Sequence, residues 1–290
     1  MHASSPPAPP SPAVARAFLE LEDVARCPVC ESPGGRARFL PDVSQCPTCR
    51  VLYRSPRPTQ REIVRSYDAG TTYARWQDER PVRDLLWRKR LRTIARFRPS
   101  GDLLDIGTGD GEFLRHAAGA YAVRCTEVSA AGADHVRRRG FEPQIGDFLA
   151  LDVPESSFDV VTLWHVLEHV PWPGRVLAKV EATLRPGGIV AVAVPNERRP
   201  LLWRRRRKRP LGTLGWGEEI HLTHFVPTTL RRTMARVGLR VLEFGVDDVE
   251  LERSFATGLA HQAHRLVSAV TGWHLGRAMY VVARRTRGGA

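Results

Sequence analysis

The sequence predicts an α/β protein, a doubly wound and mostly parallel sheet preceded by a small zinc ribbon. Two observations carry that expectation. Short apolar runs alternate with helical patterns from Asp102 to Arg284, and such alternation builds parallel sheets with helices on both faces. Near the N-terminus, two CxxC pairs are separated by fifteen residues, the spacing of a four-cysteine metal staple. A length of 290 residues and a hydrophobic content of 42% allow one large domain or two modest ones with a real core.

Residues 1–20, dominated by Pro and Ser and without an apolar signal core, read as a disordered tail. Residues 21–56 read as the ribbon. Cys27-Pro-Val-Cys30 and Cys46-Pro-Thr-Cys49 are turns that each point two thiolates at one ion, and Gly34, Gly35 and Pro41 suit the hairpin between them. Two disulfides compete with this reading and are disfavoured in a cytoplasmic chain. A redox pair would need a βαβ context that the stretch lacks.

Residues 57–100 read as a helical linker or lid. Pro81 starts a helix whose Val82, Leu85, Leu86, Leu91, Ile94 and Ala95 favour one side, and Pro99-Ser-Gly101 breaks it. Residues 101–290 form the main domain. Strands are expected at 102–106, 122–128, 141–145, 158–164, 189–194, 239–244 and 277–284. Helices are expected at 112–118, from the N-cap Ser129 to Gly140, and at 173–184 and 227–237. Leu251, Phe255, Leu259, Leu266 and Val270 recur near multiples of a helical turn. Cys125 lies in an apolar strand and reads as core.

The turn after the first strand of this domain, Gly107-Thr-Gly109-Asp-Gly111, is G-x-G-x-G. A dinucleotide turn wants G-x-G-x-x-G, and a Walker A loop needs a Lys that is absent here. Five carboxylates, Asp105, Asp110, Glu112, Glu127 and Asp147, crowd the strand ends of a chain whose net charge is +13. They would repel phosphates. They suit a ligand with cationic groups and ribose hydroxyls, as S-adenosylmethionine has.

On these residues the chain resembles the class I S-adenosylmethionine-dependent methyltransferases, from Gly101 to the C-terminus. LLDIGTGDG is similar to the family's cofactor loop, GDF (Gly146–Phe148) to the segment beside the adenine, FDVVTLWHVLEHV to the fourth strand and its loop, and LRPGGIVAVAVPN to the entry of the fifth strand. The resemblance implies a Rossmann-like, seven-stranded sheet with an antiparallel edge hairpin. It also implies S-adenosylmethionine contacts from Asp105, Gly107, Thr108, Gly109, Gly111, Glu127, Val128, Asp147, Phe148, Trp164 and His165, with Glu127 on the ribose hydroxyls.

His165-Val-Leu-Glu168-His169 spells the inverted zinc-protease motif H-x-x-E-H. That chemistry needs a long helix, and this stretch follows a strand directly with Pro171 and Pro173 close behind. A catalytic metal is therefore not expected here. Methyl transfer to a hydroxyl benefits from a general base. His165, His169, His221 and His224 are the candidates, with His169 and His221 ranked first. Tyr67 and Tyr73 precede the domain and either cover the pocket or pack.

HLTHFVPTTLRRTMARVGL resembles a segment of bacterial methyltransferases of glycan and small-molecule pathways, so a small-molecule or glycan acceptor is expected, probed first as an O-methylation. The alternative is an RNA base methyltransferase, since a ribosomal RNA guanine methyltransferase family also carries a zinc ribbon before this fold. A non-catalytic module is a third reading, which the intact acidic set disfavours. The run Arg204–Arg209 beside Trp203 suits a peripheral contact with an anionic membrane, against RNA or a solvated loop. No apolar run reaches bilayer length, so the expected location is cytoplasmic, peripheral at the inner membrane face.

Overall fold

The computed structural model describes residues 20–33, 37–40, 43–69, 80–197, 220–247 and 276–286. The expected tail, Tyr73, the run Arg204–Arg209 and the pattern from Leu251 to Val270 lie outside the described residues.

A first, small unit holds β1 (Leu21–Glu22), β2 (Ala37–Leu40), β3 (Val43–Gln45), β4 (Leu52–Arg54) and β5 (Arg57–Pro58). Helices α1 (Gln60–Ala69) and α2 (Arg80–Ala95) follow. The main domain then runs β6 (Gly101–Ile106), α3 (Glu112–Ala117), β7 (Tyr121–Glu127), α4 (Ala130–Arg137), β8 (Gln144–Ile145), β9 (Phe158–Trp164), α5 (Pro173–Thr183) and β10 (Leu184–Pro195). It ends with β11 (Thr223–His224), α6 (Pro227–Arg236), β12 (Leu239–Val246) and β13 (Ala278–Arg285).

Seven strands form the main sheet in the order β12-β13-β10-β9-β6-β7-β8. The central pairs are parallel, and β13 runs antiparallel between β10 and β12, so the sheet is mixed at one edge. FDVVTLW is apolar apart from Asp159 and Thr162 because β9 is covered on both faces: Val160, Val161 and Leu163 are all buried. The strand expected to start at Ile189 already begins at Leu184. Arg185-Pro-Gly-Gly188 interrupts its pairing with β9 as an irregularity between Leu184 and Ile189.

Of the apolar side expected on α2, Ile94 is buried and Leu86, Leu91 and Ala95 are half-buried, but Leu85 is 47% exposed, and Trp87, Lys89, Arg90 and Thr93 are buried as well. The polar members of that face have partners far along the chain. Lys89 donates to the Val246 carbonyl at 2.9 Å, and Arg90 pairs with Asp247.

In the small unit the four cysteine sulfurs lie within 4.8 Å of one another. Cys27 and Cys49 sulfurs are 3.6 Å apart and those of Cys30 and Cys46 3.5 Å, well beyond a disulfide bond, so all four are free thiols. This unit is not a separate bead. Val24, Cys27, Cys46, Val51 and Tyr53 share one core with Leu163, Leu177 and Phe225. Its sheet, ordered β11-β4-β3-β2, takes its last strand from the main domain. A Cβ on Gly174 at the start of α5 would come within 2.1 Å of the Val29 carbonyl, so the two units approach too closely there for any side chain.

Candidate active site

In the main sheet β6 is flanked by β7 on one side and β9 on the other, with chain order reversing between β6 and β9. Ligands bind outside the carboxyl ends of strands at such a point. A cavity of about 420 Å³ opens there. Its floor is the turn after β6. Gly107, Gly109 and Gly111 have φ of 65°, 62° and 73°, the left-handed region in which a Cβ is strained. A Cβ at Gly107 would also meet Val166 Cγ2 at 2.7 Å.

Most of the residues singled out for the cofactor meet at this cavity. Asp105, Gly107, Thr108 and Gly109 line it from β6 and its turn, Glu127 and Val128 from the end of β7, Asp147 and Phe148 beyond β8, and Trp164 and His165 from the end of β9. Gly111 stands one step on, as the N-cap of α3. Two of the five carboxylates do not face the cavity. Asp110 is paired with Arg83 at 3.3 Å and Arg139 at 3.6 Å, and Glu112 with Arg139 and Arg115, both at 2.6 Å. The acidic count at the site therefore falls to Asp105, Glu127 and Asp147.

Glu127 is held by backbone. One oxygen accepts the Gly109 amide at 2.7 Å, and the other accepts Val128 at 2.9 Å and Ser129 at 3.2 Å. Asp105 is almost fully buried and accepts the Thr162 hydroxyl at 2.5 Å. Burial pushes its pKa up to about 7 against the opposing hydrogen bond.

These residues fit S-adenosylmethionine. The loop is shaped for close approach of a ligand, buried acceptors sit beside it, and Trp164 Nε1 is buried with no hydrogen-bond partner. The carboxylates suit hydroxyl and ammonium donors.

Two imidazoles, those of His165 and His169, also line the cavity. His165 has φ of 58°, and its ring lies between Glu168 (Nδ1 to Oε1, 3.2 Å) and Asp247 (Nε2 to Oδ2, 3.3 Å). Burial opposes its charge, but the two carboxylates win and raise its pKa to about 9. His169 lines the cavity and donates from Nδ1 to the Ile220 carbonyl at 2.7 Å. His221 lies behind it, the ring centroids 5.0 Å apart. His224 is buried with its Nδ1 3.6 Å from Glu197, and burial lowers its pKa. Tyr67 lines the cavity and meets His169 edge-on at 6.2 Å. As expected, residues 165–172 form turns and bends with no protease-type helix.

Within the stretch 57–100 read as a linker or lid, the sequence reading named only Tyr67 and Tyr73 for the pocket. Gln60 and Ile63 of α1 and Arg83, Leu86, Trp87 and Arg90 of α2 also line the cavity, as its roof. The Arg90 guanidinium sits 4.5 Å from the Trp87 ring and 4.7 Å from Trp164. The available signal was Trp87 and Arg90 spaced i, i+3 on one helix face.

Residues 73–244 match a family described as a methyltransferase domain. The 27-O-demethylrifamycin SV methyltransferase of Amycolatopsis mediterranei is 29% identical over 160 residues, covering 47% of this chain and 59% of that one. The demethylmenaquinone methyltransferase of Corynebacterium glutamicum is 28% identical over 137 residues, covering 46% and 56%. The match thus spans little more than half of either relative. A chain from the complex of the Haloferax volcanii Trm112 methyltransferase activator with a methyltransferase shares the fold with a TM-score of 0.57 at 18% identity, over 79% of this chain and 99% of that one.

Proposed function

Because this chain belongs to the methyltransferase-domain family, within the class I S-adenosylmethionine-dependent methyltransferases, we propose that it moves a methyl group to a hydroxyl of a small-molecule or glycan acceptor. The carrying observation is a single cavity lined both by the glycine turn after β6 with the carboxylates of Asp105, Glu127 and Asp147 and by the imidazoles of His165 and His169. The relatives named for a rifamycin and a menaquinone precursor support a small organic acceptor over a macromolecule.

S-adenosylmethionine supplies an electrophilic methyl on a sulfonium. The chain's own residues do the rest. Glu127 accepts from the ribose, Asp147 and Phe148 border the adenine, and Asp105 offers a carboxylate near the ammonium. A carboxylate has about four acceptor sites, and backbone amides occupy three of those on Glu127. The roof of α1 and α2 excludes water and aligns the acceptor, an effect worth ~7–11 kcal/mol when alignment is good. His165, held protonated by two carboxylates, is no base at neutral pH. His169 and His221 are left as the polar groups that act on the acceptor hydroxyl.

Cys27, Cys30, Cys46 and Cys49 would hold a structural zinc, being four thiols gathered to one point with no open position needed. An RNA-reading ribbon gains no support from the described side chains, since Tyr53 is buried and offers no stacking face.

Calorimetry tests the reading. S-adenosylhomocysteine should bind and NAD should not. Glu127→Ala should weaken binding by ~1–3 kcal/mol, the loss of hydrogen bonds to a charged group. Equal affinity in that variant would remove Glu127 from the ribose.

A further inference from the structure

Glu168, His169 and His221 each present one ligand atom, all within 4.8 Å of one another, and His169 of the three lines the cavity. We propose that these three residues bind a first-row divalent transition ion that takes the acceptor's hydroxyl oxygen. An ion bonded at ~2.1 Å to each donor gathers atoms that lie ~3–4 Å apart. The His169 Nε2 to Glu168 Oε1 distance is already 3.8 Å.

The surroundings are those of a built site. His169 Nδ1 gives its proton to the Ile220 carbonyl at 2.7 Å, which leaves the lone pair of the neutral ring on Nε2, toward Glu168. His221 Nδ1 lies 3.5 Å from Glu197, a buried carboxylate. Metal-bound histidines are held in this way, by a carbonyl or carboxylate on the other nitrogen. Glu168 is 1% exposed, and its Oε2 is buried with no hydrogen-bond partner. A buried carboxylate oxygen left unpaired is costly, and a cation relieves that cost. Two imidazoles with one carboxylate suit manganese, iron, cobalt or zinc ahead of calcium or magnesium.

The H-x-x-E-H letters mislead only in their first residue. His165 spends both ring nitrogens on carboxylates, Nδ1 on Glu168 Oε1 at 3.2 Å and Nε2 on Asp247 at 3.3 Å, and the second imidazole comes from His221, whose carbonyl accepts the Arg54 guanidinium of the cysteine unit at 2.9 Å.

The role of the ion rests on the methyltransfer reading; its binding does not. Coordination makes the acceptor hydroxyl more acidic, and its proton passes to solvent. The oxygen then bonds to the methyl carbon as the carbon–sulfur bond breaks, and that electron pair stays on sulfur, leaving a neutral thioether.

The test uses the full chain with its four cysteines loaded with zinc. Manganese, a poor thiolate binder, is titrated and followed by electron paramagnetic resonance, and S-adenosylhomocysteine affinity is measured in parallel. We expect one manganese per chain. Binding should be lost in His221→Ala and ~10–100-fold weaker in Glu197→Gln, the usual effect of removing a residue that orients a ligand. S-adenosylhomocysteine affinity should be unchanged in both. A wild-type chain that binds the cofactor product but no manganese overturns the ion site, as does manganese affinity equal to wild type in both variants. A chain that binds manganese but no S-adenosylhomocysteine keeps the site and sinks the methyltransfer reading.

Discussion

Asp105 and His165 both line the cavity, and both bind protons more tightly than in an unfolded chain. Asp105 titrates at about 7 against an ordinary 3.8, because burial disfavours its charge. The folded state therefore holds an extra proton between those values, and stability contributed by this group falls as pH rises toward 7. A cationic ligand favours the carboxylate. The melting shift produced by S-adenosylhomocysteine should thus be larger at pH 8 than at pH 6, and Asp105→Asn should flatten that difference in a thermal scan. His165 titrates at about 9 against 6.5. Its contribution is complete below 6.5 and is lost as pH rises through 9. Denaturant midpoints between pH 7 and 9 should fall in the parent and fall less in His165→Gln.

Among elements, α2 shows what sequence patterns reach and where they stop. Strand β9 was legible because a strand buried on both faces is written as a largely apolar run. The turn after β6 was legible because three glycines at positive φ have few substitutes. The inner face of α2 was not, because Lys89 and Arg90 are made buriable by Val246 and Asp247, 157 residues away. Asp110 and Glu112, which the sequence placed with the acidic set at the strand ends, are instead paired with Arg83, Arg139 and Arg115, and only the partners Arg83 and Arg139 lie far along the chain.

Trp87 is the hinge of this roof. It packs on Phe113 at 5.6 Å, which in turn meets Trp164 at 5.4 Å. Trp87→Ala should cost ~3–5 kcal/mol in urea unfolding, as for other buried aromatics cut to alanine. A loss below 1 kcal/mol would mean that α2 is not part of the folded core.

At the scale of the whole molecule, charge and the cysteine cluster make separate predictions. Elemental analysis should find one zinc per chain, absent when Cys27 and Cys46 are both replaced by Ser. No helix among the described residues is long and apolar enough to cross a membrane. Replacing Arg204–Arg209 by Ser should reduce sedimentation with anionic vesicles and leave cofactor affinity intact, if the run works as a surface anchor beside Trp203. Steep, salt-sensitive binding to structured RNA instead would give the run to nucleic acid.

Strand β11 adds to β4 through Thr223–Tyr53 and His224–Leu52, and so the residues just before it, His221 included, hang from the cysteine cluster's own sheet. The two halves of the reaction then have different guardians. The turn after β6 would keep its hold on the methyl donor in a chain stripped by a chelator or oxidised at its thiols, while the wall that receives the acceptor would come loose. Such a chain should sit loaded and idle, its donor affinity near normal and its turnover gone. A brief oxidative burst would thus silence the enzyme without emptying it, and re-reduction with zinc would restart it from the loaded state.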